Sequence, residues 1–232
     1  MPIKTNHLIL CLAIFSNKNT KAQDTKIYVV NPGQTIQEVI PDTIRYSYPE
    51  FRMGNVLFPR NEMATAMVNY NLMLGEMQFI DPKGDTLFIG DPEKFDRIAI
   101  GADTFFYNKG YLKQLAYRSK VRLLQKQTIR MASRTTLGVF DQPAQGAAST
   151  YSSFIGNTHD VTLRTNQKIT FKKETYYFLM DRNQMLYPLS LKNLQLLFPK
   201  DRKLLETSFQ GRNIYEPSTI QLLILYFNEP QL

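Results

Sequence analysis

Between Gly54 and Tyr107 apolar residues recur at every second position, and this periodicity constrains the fold more than any other feature. Val56 and Phe58 alternate. Ala66, Val68 and Tyr70 share one strand face, with Asn69 and Asn71 on the other. Met77 with Phe79, Leu87 with Ile89, and Ile98 with Ile100 repeat the pattern. Side chains of a strand point to opposite faces in turn, so these runs describe a sheet with one wet face. The connectors carry turn chemistry. Asp81-Pro82-Lys83-Gly84 places Asp, Pro and Gly where a type I turn favours them, and Gly90-Asp91-Pro92 and Gly101-Ala102-Asp103 punctuate later strands. Gly and Pro at this spacing forbid a long helix.

Around this region the chain divides by composition. Residues 24–53 read as a leader with turns at Asn31-Pro32-Gly33 and Pro41-Asp42. Residues 23–131 are expected to form a β-meander domain. Residues 132–158, poor in large apolar side chains, are expected to be a flexible connector. Residues 159–232 read as a β-hairpin followed by short helices. Val161–Phe171 and Thr175–Met180 look like strands, and Asp181–Gln184 like a turn into Met185–Tyr187. Beyond Pro188 the period lengthens. Ser190 can cap a helix carrying Leu191, Leu194 and Leu197. A second carries Leu204, Leu205 and Phe209 up to Gly211. A third starts near Pro217 and carries Ile220, Leu223, Ile224 and Phe227. The expected class is mainly β, a meander sheet or sandwich with a small C-terminal helical cap, α+β overall.

Tyr48-Pro49-Glu50-Phe51, Gly54-Asn55-Val56, Val68-Asn69-Tyr70-Asn71 and the run from Gly75 through Asp81-Pro82-Lys83-Gly84 to Leu87 resemble an uncharacterised family of secreted or periplasmic proteins of Bacteroidota-type bacteria. Leu191–Pro199 resembles tails on related exported proteins. Relatives often carry an Asp-Gly turn where Pro59-Arg60-Asn61 stands here. The resemblance implies location and architecture and brings no activity.

Residues 1–22 match the three zones of a secretory signal peptide. Lys4 and the terminal amine come first, then the apolar core Leu8–Phe15, then small residues at Thr20 and Ala22. The core is too short to span a bilayer. Removing this segment takes the formal charge from +8 to +5 and removes Cys11, the single cysteine. The remaining chain then offers no disulfide, no cysteine nucleophile and no thiolate metal ligand.

The catalytic inventory is thin. The other histidine outside the signal, His159, sits beside Asp160 with no nucleophile in a recognised motif. No metal site or cofactor is expected from one histidine and no cysteine. Turn carboxylates at Asp81, Asp85, Asp91, Asp96 and Asp103 leave open a glycan- or cell-wall-directed hydrolase, if two of them converge. The third helix lacks the side chains that read bases, so no nucleic acid is expected as a partner.

Charge is the least ordinary feature. No acid occurs between Asp103 and Asp141, a window rich in lysine and arginine. Arg118, Lys120, Arg122, Lys126 and Arg130 are all even-numbered, while Val121, Leu123, Ile129 and Met131 are odd. On a strand this places cations on one face and apolar groups on the other. Leu124 breaks the pattern, so a bulge or turn is expected near Leu124–Gln127. The five cations are the candidate binding residues for an anionic envelope component or another envelope protein. The functional expectation is an exported, non-catalytic envelope or secreted module, periplasmic, outer-membrane-associated or secreted.

Overall fold

The computed structural model describes residues 24–136 and 165–229. The expected signal peptide, Cys11, His159 and residues 137–158 of the expected connector lie outside the described residues.

The protein is mainly β, with helices gathered at the C-terminal end. Its strands are β1 (Asp24–Val30), β2 (Arg52–Leu57), β3 (Met63–Asn71), β4 (Glu76–Ile80), β5 (Thr86–Phe88), β6 (Arg97–Ile100), β7 (Asp103–Tyr107), β8 (Tyr111–Arg118), β9 (Val121–Thr136), β10 (Gln167–Met180) and β11 (Leu186–Pro188). They form one eleven-stranded sheet in the order β1-β10-β9-β8-β7-β6-β2-β3-β4-β5, with β11 added to β10. Short helices α1 (Ile36–Val39) and α2 (Asp42–Arg45) follow β1. The C-terminal helices are α3 (Leu191–Leu197), α4 (Arg202–Phe209) and α5 (Pro217–Asn228).

The side-chain alternation read from sequence is seen, but the second face is not wet at Asn69, Asn71 and Gln78, which are buried and hydrogen-bonded beneath the Tyr46–Tyr48 segment, and the neighbours differ from a simple meander. After β5 the chain returns across the sheet, and β6 pairs with β2, not β5. Period two tells which side chains share a face; it carries no information on which strand lies alongside. The leader is also part of the sheet. β1 pairs with β10 along its whole length, Asp24 opposite Thr175 and Val30 opposite Ile169. β9 continues through Thr136, into the first residues of the expected connector, because β10 supplies partners as far as Gln167.

β10 is one strand where two were expected. Lys172, Lys173 and Glu174 interrupt the apolar pattern without interrupting the ladder, since β9 and β1 flank them on both sides. The bulge expected near Leu124 lies on the facing strand. Gln114 pairs with Leu124 and Ala116 with Leu123, leaving Leu115 as the extra residue of β8. Local turn chemistry is as expected at Asp81, whose Oδ1 accepts from the Lys83 and Asp85 amides at 2.9 and 2.8 Å. Ser190 caps α3, its hydroxyl oxygen accepting from the Asn193 amide at 3.1 Å. At Pro59-Arg60-Asn61, Arg60 and Asn61 take φ values of 68° and 64°, a turn for which Asp-Gly is the lower-strain solution.

The long β9–β10 ribbon serves two cores. Ile129, Ile169 and Phe171 pack with Val56, Val68, Met77, Ile98 and Phe105, where the sheet curls on itself. The curl is closed by the Ile129 amide donating to the Leu72 carbonyl at 2.8 Å. Further along the same ribbon, Val121, Leu123, Tyr177 and Leu179 meet Leu194, Leu205, Leu223 and Phe227 of the helical cap. The opposite, outer face carries a smaller cluster of Leu112, Leu124 and Met180 with Phe106, Phe178 and Leu186 against it.

Candidate functional site

The five expected cations do not form one stripe. Arg118 ends β8 on the helix side of the sheet, and its side chain is 11% exposed. It donates to the carbonyls of Tyr226 at 2.6 Å and Glu229 at 3.3 Å, lies over the Tyr226 ring, and faces Asp201 at 3.6 Å. Its guanidinium therefore caps the C-terminal end of α5, where carbonyls have no helical partners. Lys120 sits in the β8–β9 turn with φ of 67° and belongs to neither face. Arg122, Lys126 and Arg130 share the outer face of β9, as their parity requires.

Two of those three are already engaged. Arg130 pairs with Glu174 and donates to the Tyr176 hydroxyl at 2.6 Å. Lys126 is half-buried and donates to the Lys109 carbonyl at 3.1 Å. Burial, and secondarily the Arg130 charge, lowers the pKa of its ammonium. The acid-free window of the sequence is thus not acid-free in space. Glu174, Asp201 and Glu229 come to it from β10 and the cap, and Asp103 binds Lys113 at 2.8 Å.

Arg122 is different. Its guanidinium lies 4.6 Å from the Phe106 ring centre and 5.2 Å from that of Tyr117. Cross-strand pairing to Tyr117 on one side and Met180 on the other holds its backbone. Its Nε is buried without a hydrogen-bond partner. It lines a cleft of about 550 Å³, together with Arg97, Lys109, Phe106, Tyr107 and Asn108. None of Arg97, Lys109 and Arg122 forms an ion pair among the described residues. Glu93 and Asp96 also line the cleft. Asn108 Nδ2 donates to the Gln184 carbonyl at 3.2 Å, tying the β7–β8 turn to the β10–β11 turn beside it.

A guanidinium held by aromatic rings, with donors left over, recognises carboxylate or phosphate oxygens. The volume falls in the range of small-ligand sites. Arg97 and the aromatic platform of Phe106 were missed by sequence reasoning. Arg97 lies outside the basic window, and only the return of β6 to β2 and β7 to β8 brings it and Phe106 near Arg122.

Of the turn carboxylates, Asp81 is used in its own turn, Asp91 pairs with Lys94 at 2.6 Å, and Asp103 accepts from Tyr48 at 2.5 Å. Asp96 alone of that group reaches the cleft, beside Glu93. Among the described residues no cluster of three or more His, Cys, Asp or Glu could hold a metal ion. No helix among the described residues is long and apolar enough to cross a membrane, which says nothing of β-barrel spans.

No protein-family model matches the chain, and neither a curated protein nor a solved structure matches it. What fold and cleft define is a class: a β-dominated α+β protein with a helical cap and a cationic, aromatic-floored cleft on the open face of its sheet.

Proposed function

We propose that the protein is an exported, non-catalytic β-rich module that holds an anionic partner of the cell envelope at the Arg122 cleft. The carrying observation is Arg122 itself: stacked on Phe106 and Tyr117, with a buried and unpartnered Nε and no carboxylate ion pair. Export is supported by the three zones of residues 1–22. The binding group narrows from five cations to Arg122, with Lys109 and Arg97 beside it.

The test uses a fluorescent peptide of ten glutamates in low salt, titrated with the purified protein. Arg122→Gln should weaken binding at least tenfold, on the scale of about 1.5–3 kcal/mol for a charged hydrogen bond. Lys120→Gln, in the exposed turn, should leave it almost unchanged. Equal affinity for wild type and Arg122→Gln refutes the reading.

A second reading, a glycan- or cell-wall-directed hydrolase, draws on Glu93 and Asp96 sharing the cleft. Hydrolysis of purified cell-wall glycan that is lost in both Glu93→Gln and Asp96→Asn would support it over the first.

A further inference from the structure

The Arg122 cleft is lined by both signs of charge, and the signs are sorted by chain segment. Residues 92–97, which run from the short helical turn before β6 into that strand, contribute Glu93, Asp96 and Arg97. The strands β7, β9 and β10 and their turns contribute Lys109 and Arg122 and no carboxylate. Among the described residues, no cation of the cleft comes within ion-pair distance of either acid. Lys94, next to Glu93 in sequence, pairs with Asp91 at 2.6 Å.

The backbone keeps the signs apart. The Asp96 amide donates to the Leu57 carbonyl at 2.8 Å, which fastens the acidic segment to the end of β2. Arg122 comes from β9 and lies over the Phe106 and Tyr117 rings. Lys109 sits in the β7–β8 turn, where its carbonyl accepts from Lys126 Nζ at 3.1 Å and where Asn108 is tied to the Gln184 carbonyl. Acids and cations are thus anchored by different elements and not by one another.

Complementarity then sets the ligand. A ligand bearing only negative charge suits Arg122 and Lys109 but opposes Glu93 and Asp96, and juxtaposed like charges select against a partner. A ligand with an ammonium group as well as a carboxylate satisfies both segments. Asn108 and Gln184 also line the cleft, and amide side chains match the donors and acceptors of a peptide bond. The volume of about 550 Å³ is that of a small-ligand site, so what enters is a few residues long.

We infer that the cleft takes a short zwitterionic peptide, its carboxylate on Arg122 and Lys109 and its amine against Glu93 and Asp96. This rests on the cleft reading above and adds to it the amine that accompanies the anionic group.

The test is calorimetric titration in low salt with the tripeptide Ala-Ala-Glu and with its N-acetylated form. On net charge alone the acetylated form, more negative by one, would bind this basic protein more tightly. The inference requires the reverse: the free amine should bind at least tenfold more tightly. The double variant Glu93→Gln/Asp96→Asn should bring the free-amine form down to the affinity of the acetylated one, without weakening the acetylated form. Arg122→Gln should weaken both forms. Equal or tighter binding of the acetylated form by wild type overturns the inference, and so does a preference for the free amine that survives the double variant. In either case the cleft reading stands if Arg122→Gln still weakens the ten-glutamate peptide. Tighter binding of glycerophosphoethanolamine than of Ala-Ala-Glu also overturns it, because the zwitterion would then be a lipid headgroup and not a peptide.

Discussion

Gly54 shows how closely one residue can be specified by its neighbours. It sits inside β2 on the inner face, and a Cβ there would lie 2.3 Å from Val68 Cγ2 and 3.0 Å from the Ala99 carbonyl oxygen. The neighbouring strands press on it from both sides, so there is no room for a side chain at this position. Gly54→Ala should cost about 1–3 kcal/mol, the usual penalty for overpacking, read as a lower urea midpoint with an unchanged slope. Glu76, opposite Asn71 at the start of β4, has its carboxyl raised above the ordinary range by burial. A raised carboxyl favours folding while protonated, and that contribution is lost as pH rises through its folded-state pKa. Glu76→Gln should therefore stabilise the protein at neutral pH and make no difference at a pH below the ordinary carboxylate range. Urea titrations at the two pH values check this. A gain at low pH alone would contradict it.

At the scale of elements, the helical cap is bound to the sheet by one arginine as well as by its apolar face. Leu223 and Phe227 of α5 are buried with Leu205 of α4 and Leu194 of α3. Arg118 closes the end of α5, and Asp201, before α4, accepts from the Tyr226 hydroxyl at 2.6 Å. Burial, then the hydrogen bond to Asp201 and its charge, raise the Tyr226 pKa, so this hydroxyl remains a donor at neutral pH. Arg118→Ala should cost about 2 kcal/mol, the order of a hydrogen bond to a charged group. Amide exchange should quicken in α5 more than in β2–β4. Uniform quickening across the sheet would show that Arg118 supports the whole fold and not the cap. The helices themselves were legible because their signals are local: Ser190 at a cap, Pro217 at a first turn, apolar residues at helical spacing. Their docking was not, because nothing near Arg118 in sequence names Tyr226, which is 108 residues away.

At the scale of the molecule, β9 and β10 make the two cores one structure. Each strand places Ile129 or Phe171 in the curled sheet and Leu123 or Leu179 under the cap. Unfolding either core exposes the ribbon that the other needs, so the transition should be cooperative. The chain has no tryptophan, which allows one to be placed as a reporter. Tyr107→Trp should report the curled core and Tyr187→Trp the capped one. Their urea midpoints should coincide. Separate midpoints would mean that the ribbon does not couple the two.

The alternating faces between Gly54 and Tyr107, several turns and the C-terminal helical starts were set by the sequence alone, because each depends on residues within a few positions of one another. The alternation of Val68 and Tyr70 against Asn69 and Asn71 is such a case, as is the Asp81 turn. Which strand lies beside which, and which charge finds a partner, was decided by tertiary structure. Coulombic and hydrogen-bond energies fall with distance in space, not along the chain. Glu174 neutralises Arg130 from 44 residues away, and cap carbonyls take Arg118. Arg122 is left facing a cleft that Arg97 and Phe106 complete from strands folded back toward it.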